Sequence, residues 1–330
     1  MRTVAAGHVG TERDRPSVEG MRIARGLEHV GFDRNSVVTV GTFDGMHLGH
    51  RAIIAEVLEK KAALSGRSVV VTFDPHPRSV VNGAPVGLLT TMDERIELFR
   101  GAGIDLVLIV DFTYEFSRQS ASLFYERYIL RGTGVNEVVV GHDHMFGRDR
   151  EASIATLREM GKDSGFAVTT VGPVTAGGVR ISSSFIRRLL SEGKVAEARV
   201  SLGRPYELRA TVVRGDGRGA RIGFPTANLL PDSVEKVVPR AGVYLAAVDI
   251  DGVSRHAMVN IGTRPTFTDD GRTVIEAHLF DWSGDIYGRT VTLRFLGYVR
   301  EEKKFSNVNE LTAQLERDRG ECLRQIGAAQ

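Results

Sequence analysis

The chain has 330 residues, more than one ordinary hydrophobic core accommodates, so about two domains are expected. Its 43 basic and 41 acidic residues leave a net charge of +2, and 42% of residues are hydrophobic, which excludes both a strongly basic nucleic-acid surface and a disordered polyampholyte. A single cysteine, Cys322, excludes a disulfide framework and fits a reducing cytoplasm, and no apolar run approaches the ~20 residues of a membrane span.

Residues 1–20 are polar and glycine-bearing and lack the apolar core of a secretory signal. They are expected to form a disordered extension, or to precede a true start at Met21. Strand-like runs follow at Ser36–Val40, Ser68–Phe73, Leu106–Val110, Glu137–Val140 and Ala167–Val171. Helical spacing separates them at His50–Leu64, Asp93–Arg100, Ala121–Arg131 and Ser153–Lys162. Nearly unbroken Val, Ile and Leu in these strands predicts an α/β domain over 21–203, a Rossmann-like parallel sheet covered on both faces. Two short helices, Ser183–Ser191 and Val195–Leu202, close it.

Gly203-Arg204-Pro205 breaks the pattern. Beyond it, Tyr206–Arg214, Val243–Ile250, Ser254–Ile261, Val274–Phe280 and Thr290–Tyr298 alternate apolar with polar residues, as half-buried antiparallel strands do. Asp251-Gly252 marks a tight hairpin, and Val308–Cys322 is helical. Residues 204–330 are therefore expected to form a small antiparallel β-barrel with a terminal helix.

Chemistry concentrates at two places. The first is Gly41-Thr42-Phe43-Asp44-Gly45-Met46-His47-Leu48-Gly49-His50, between the Ser36–Val40 strand and a helix. Unpaired N–H groups and the helix dipole make such a junction an anion site, and Gly41 and Gly45 are expected to let phosphate approach the backbone. His47 and His50, three apart, share a face and can donate to phosphate oxygens as charge develops. Zinc is not expected, since that spacing supplies only two ligands. Asp74-Pro75-His76-Pro77 and Gly141-His142-Asp143-His144-Met145-Phe146-Gly147 end two further strands of the same sheet. Arg180-Ile181-Ser182-Ser183-Ser184-Phe185-Ile186-Arg187 combines helix-capping serines with positive charge suited to a leaving pyrophosphate.

The second place is Gly215-Asp216-Gly217-Arg218-Gly219 followed by Phe224-Pro225-Thr226-Ala227-Asn228. A flexible glycine run suits a loop over phosphate, although a surface turn looks alike. Thr226 and Asn228 lie two apart in an extended segment, so their oxygens point to one side and suit Mg²⁺. Glu276, within Val274–Phe280, is a candidate base; alternation alone leaves open whether it lies on a merely solvated face.

In order and spacing these motifs resemble the bacterial bifunctional riboflavin kinase/FMN adenylyltransferase (FAD synthetase) family, over about Met21 to Leu323. The resemblance implies that the barrel phosphorylates riboflavin to FMN with ATP. The N-terminal domain would then adenylylate FMN to FAD and release pyrophosphate, with Mg²⁺ serving both steps. It implies that His47 and His50 stabilise the transferring phosphate. Gly41, Phe43, Asp44, Asp143, Arg180, Ser183, Ser184 and Arg187 would hold nucleotide and phosphates. In the barrel it implies phosphate contacts at Gly215, Gly217 and Gly219, metal ligation by Thr226 and Asn228, Glu276 as base on the 5′-hydroxyl, and Arg300 on the flavin side. His144 stands where an aromatic is usual and Met145 where a base is usual, so a narrower reading keeps only the kinase active. A non-catalytic flavin sensor is a third reading, which His47, His50, Thr226, Asn228 and Glu276 count against. The implied partners are small molecules, without nucleic acid or membrane, and a homo-oligomer is left open.

Overall fold

The computed structural model describes residues 20–145, 147–148, 152–215, 219–263 and 273–328. The extension expected before Gly20, Phe146 of the loop after the fourth expected strand, and Gly217 lie outside these residues. The chain begins with β1 (Arg22–Ala24), β2 (Ser36–Val40), α1 (Leu48–Leu64), β3 (Arg67–Asp74), α2 (Pro77–Asn82), α3 (Met92–Ala102) and β4 (Leu106–Asp111). It continues through α4 (Tyr114–Ser117), α5 (Ala121–Phe124), β5 (Glu137–Gly141), α6 (Ile154–Ser164) and β6 (Ala167–Val171).

These six strands form one sheet in the order β1-β4-β3-β2-β5-β6, and every pairing is parallel. Alternate residues serve opposite faces, as the pleat requires. Val38, Val40, Val69, Val71 and Val138 pack with Phe124, Tyr125 and Leu157. Val37, Val70, Val107 and Val139 pack with Ile54 and Val57 of α1 and Ile96 and Phe99 of α3. The expected long helix over Ala121–Arg131 is instead α5 followed by a π-helical stretch, Tyr125–Thr133, whose wider turn buries Tyr125, Ile129 and Thr133. From β2 the sheet grows to one side through β3 and to the other through β5. The carboxyl ends of β2 and β5 thus flank the point where strand order reverses, the usual ligand crevice of open parallel sheets.

A small hairpin, β7 (Thr175–Ala176) and β8 (Val179–Arg180), leads to α7 (Ser183–Ser191) and α8 (Val195–Leu202). Six strands follow: β9 (Tyr206–Val213), β10 (Ala227–Pro231), β11 (Gly242–Ile250), β12 (Val253–Thr263), β13 (Thr273–Leu279) and β14 (Thr290–Arg300). They close into an antiparallel barrel, β10-β13-β12-β11-β14-β9. Asp251 and Gly252 both take positive φ, 48° and 82°, which matches the twist of the flanking strands β11 and β12. α9 (Val308–Ala328) packs outside the barrel, with Cys322 buried against Val243, Leu245 and Met258.

Helices α7 and α8 belong to the first half by sequence, yet their apolar side chains join the barrel core. Ile186, Leu189, Leu190, Val195, Ala198 and Leu202 form one cluster with Tyr206, Tyr244, Phe295 and the barrel interior. No polar layer divides the two halves there. Removing side-chain volume from this cluster is therefore expected to destabilise the barrel from outside it. Ile186→Ala, at a fully buried site, should cost about 2–5 kcal/mol. The urea midpoint read from the fluorescence of the single tryptophan, Trp282, should fall accordingly.

Candidate active sites

At the end of β2 the backbone turns through an uncommon conformation. Phe43, Gly45 and Met46 have φ of 49°, 85° and 40°. For Phe43 and Met46 this left-handed geometry costs on the order of 1–3 kcal/mol each, and it persists only where surroundings over-determine it. Asp44 supplies that constraint. Its carboxylate is fully buried and accepts N–H bonds from Leu89 (3.0 Å) and Thr90 (2.9 Å), a bond from the Thr90 hydroxyl (3.2 Å), and an ion pair from Arg187. Thr90 Oγ1 in turn accepts the Gly45 N–H at 2.8 Å. Arg187 also donates to the Gly87 carbonyl (2.6 Å). The phosphate-gripping roles expected of Asp44 and Arg187 therefore do not match their placement, because both charges are spent inside the fold.

The two glycines also serve packing. The Gly41 N–H is given to the Val71 carbonyl (3.0 Å), and a Cβ at Gly41 would press on the Phe43 ring at 3.1 Å. A Cβ at Gly45 would lie 2.8 Å from Leu89 Cδ1. Neither amide is open to phosphate, contrary to the expectation from sequence. Phe43 is buried, its ring edge-on to His50 and to Phe99, so it supports the imidazole from behind.

His47 caps α1: its Nδ1 accepts the His50 N–H at 3.3 Å. That contact places the neutral ring's hydrogen on Nε2, leaving Nε2–H to donate elsewhere. The His47 and His50 rings stack, 3.6 Å apart and 19° from parallel. Burial pushes the His47 pKa down to about 4 against the pull of Asp44, and burial with the neighbouring His47 pushes His50 well below the usual imidazole value. Both rings are thus neutral donors at physiological pH. Asp44 and Asp143 are the anions facing His47, and Arg204 is a cation. Asp143 is ion-paired with Arg180. Ser183 Oγ donates to the Asp44 carbonyl (2.9 Å), and Ser184 Oγ accepts from Arg78 (3.3 Å). The segments singled out by sequence therefore converge on the carboxyl ends of β2, β3 and β5.

Three residues at this site were not identified from sequence. His76 caps α2 through Nδ1 (3.1 Å from Arg78 N) and is pushed down to about 4 by burial, facing Asp44, Arg187, Arg95 and Arg78. Arg95 is 1% exposed, donates to the Thr42 carbonyl (2.8 Å) and leaves Nε without a partner among the described residues. Arg204 donates to the Gly45 carbonyl. His76 lies in the Asp74–Pro77 segment without an assigned role there, and no local motif marks Arg95 or Arg204. Of the two unusual residues in the loop after β5, His144 meets the Tyr125 hydroxyl through Nε2 (3.3 Å) and Met145 is exposed.

The second site lies on the outer face of the barrel. Ile275 and Ala277 point into the core, which turns Glu276 outward, the side a merely solvated carboxylate would also take. In the ladder Glu276 is directly opposite Asn228 on one side and Asn260 on the other, so the three side chains share a row. Thr226 and Asn228 are half-buried. A Cβ on Gly215 would collide with the Asn228 carboxamide, and one on Gly219 would sit 3.3 Å from Thr226 Oγ1. Gly215 and Gly219 thus let the backbone at those two positions lie directly against the carboxamide and the hydroxyl. Those two hard oxygen donors, beneath a backbone cradle that a Cβ would fill, fit Mg²⁺ completed by substrate phosphates. His278 Nδ1 contacts the Pro225 carbonyl (2.9 Å) and stacks obliquely near Phe224, fixing the segment before Thr226. Glu302, beside Gly262 and Asn260, also borders this face. Arg300, expected on the flavin side, binds Asp318 of α9 through Nε (2.9 Å) and NH2 (2.7 Å), an anchor for the terminal helix.

Three neutral, buried imidazoles give stability a pH dependence with a defined sign. In the unfolded chain they protonate near 6.5, whereas folded His47 and His76 do so near 4. Across that window the unfolded chain binds more protons, so stability is complete above the upper value and is lost as pH falls toward the lower. By pH 5 His47 and His76 should each cost about 1–2 kcal/mol. Calorimetric melting between pH 7 and 5 should show the decline, and His76→Asn should flatten it.

Comparison with known proteins gives two matched segments. Residues 30–185 match the family described as FAD synthetase, and residues 202–326 match riboflavin kinase. A bifunctional riboflavin kinase/FMN adenylyltransferase of Listeria monocytogenes is 37% identical over 288 residues, 87% of this chain and 91% of the relative. The enzyme of that description from Pseudomonas fluorescens is 36% identical, covering 90% and 96%. A solved structure described as a macrolide-efflux protein from Streptococcus pneumoniae is 31% identical with a TM-score of 0.83, covering 91% of this chain and 97% of that one. Among the described residues, no helix here is long and apolar enough to cross a membrane. Sequence, fold and site geometry together place the chain in the family of bifunctional riboflavin kinases/FMN adenylyltransferases.

Proposed function

We propose that the family's two reactions are divided between the two sites: ATP-dependent phosphorylation of riboflavin to FMN at the barrel face, and adenylylation of FMN to FAD at the sheet's strand ends. The observation that carries this reading is the pair of neutral imidazoles stacked at the start of α1, in the crevice where strand order reverses. An FMN phosphate oxygen attacks the α-phosphorus of ATP as the bond to pyrophosphate breaks. His47, with its hydrogen on Nε2, donates to an oxygen on which negative charge grows, and His50 braces the ring. Asp143 holds the nucleotide, Arg180 and Ser184 meet the phosphates, and Ser183 fixes the Asp44 peptide. No proton relay is required, because phosphate is already a nucleophile.

At the barrel, Glu276 accepts the proton of the riboflavin 5′-hydroxyl while that oxygen attacks the γ-phosphorus and ADP leaves. Thr226 and Asn228 would hold Mg²⁺, which neutralises phosphate charge when bound. Gly215 and Gly219 let the loop lie against those ligands. We place the boundary between the catalytic units at 203/204.

Incubating the protein with riboflavin, ATP and Mg²⁺ and separating the flavins tests the whole scheme. His47→Ala should lower FAD formation by about 10²–10³-fold and leave FMN production intact. Glu276→Gln should lower FMN production by about 10²–10⁴-fold while FAD still forms from supplied FMN. FMN accumulating alone in the unaltered protein would restrict the assignment to the kinase. Unchanged riboflavin would refute the scheme.

A further inference from the structure

Two basic residues from the second half of the chain reach under the turn that carries His47. Arg204, in the break before β9, donates NH1 to the Gly45 carbonyl at 3.0 Å. Lys236, in the connection from β10 to β11, is 6% exposed. Its Nζ donates to the Leu89 carbonyl at 2.8 Å and pairs with the Glu94 carboxylate. The backbone runs alongside. Leu88 N–H donates to the Glu235 carbonyl (2.7 Å), and Val237 N–H donates to the Leu88 carbonyl (2.9 Å). Tyr206 lies under the ammonium, its ring centroid 5.2 Å from Nζ, and its hydroxyl donates to the Val237 carbonyl (2.6 Å).

These contacts act on two particular peptide units. The Leu89–Thr90 peptide gives its C=O to Lys236 and its N–H to Asp44 (2.9 Å). Gly45 gives its N–H to the Thr90 hydroxyl (2.8 Å) and its C=O to Arg204. Two residues later comes His47. An apolar side chain could fill the space of Lys236 without desolvating a charge, whereas only a donor can fix the direction of the Leu89 carbonyl. The left-handed φ values at Phe43 and Met46 make this turn dependent on such external restraints.

We propose that Lys236 and Arg204 are positioning residues for adenylyl transfer, so that the barrel half orients the His47–His50 turn as well as carrying its own reaction. This rests on the assignment of adenylyl transfer to that turn. The test compares steady-state FAD formation from FMN and ATP, and FMN formation from riboflavin, in Lys236→Met, Lys236→Arg and Arg204→Gln. Misplacing the imidazoles should lower kcat for FAD formation by about 10–100-fold while KM for FMN moves less than about threefold. FMN formation should stay within about twofold, and Lys236→Arg should recover part of the lost kcat. Unchanged FAD formation, or both activities falling in parallel, would overturn the proposal. Should Lys236→Met fail to fold, Arg204→Gln decides by the same criteria. His47→Ala run beside them separates the two levels: FAD formation surviving there refutes the site, and with it the positioning role.

Discussion

A single buried carboxylate organises the sheet end of this molecule. Asp44 has no contact with solvent, yet it gathers two backbone amides, one hydroxyl and one guanidinium, drawn from two separate stretches of chain. An unpaired carboxylate at that depth would be prohibitively costly, so these partners are obligatory rather than decorative. Their joint effect is to hold Phe43 and Met46 in backbone conformations that neither side chain prefers. The conformation in turn aims His47 at the crevice. Binding chemistry at the surface is thus set by an ion pair beneath it.

The fold was legible in sequence to the extent that its signals were local and repeated. Unbroken Val and Ile runs in β2 to β5 and alternation in β9 and in β11 to β14 are properties of neighbouring residues, and they reported the two architectures correctly. β10 carries no alternation and does not read as a strand from sequence. β1, only three residues long, carries too few positions for either period to show. The π-helical stretch after α5 keeps apolar residues at nearly helical spacing, so pattern alone reads it as α. α9 runs to Ala328, beyond the expected Cys322, because Ile326 continues its apolar stripe against the barrel.

Site residues divided along a similar line. Motif position brought His47, His50, Asp143, Arg180, Thr226, Asn228 and Glu276 to the two sites. It could not say which way a charge points. Asp44, Arg187 and Arg300 all sit inside or beside motifs, and all three proved to have intramolecular partners, because partner identity depends on residues distant in sequence. Asp44 meets Arg187 across 143 positions, and Arg95 reaches Thr42 across 53. Glu276 shows the converse. Alternation says nothing of its neighbours on the outer face, and only the register sets it opposite Asn228 and Asn260.

The two sites answer one electrostatic problem with different materials. On the proposed assignment both must neutralise charge growing on a phosphoryl group. The crevice does so largely with groups fixed in the chain: neutral imidazole donors, the start of a helix, and cations held by salt bridges. Such donors need no reorganisation during reaction, but they must be aimed in advance, and that explains the depth of hydrogen bonding under Gly45. The barrel face offers a hydroxyl, carboxamides and carboxylates with Gly215 and Gly219 alongside, a donor set suited to a divalent ion arriving with its nucleotide. A metal aims itself by its own coordination preferences, so the strands need only present oxygens in one row. The apolar cluster joining α7 and α8 to the barrel then makes sense mechanically, since the site with the stricter aiming requirement leans on the more rigid, closed element of the chain.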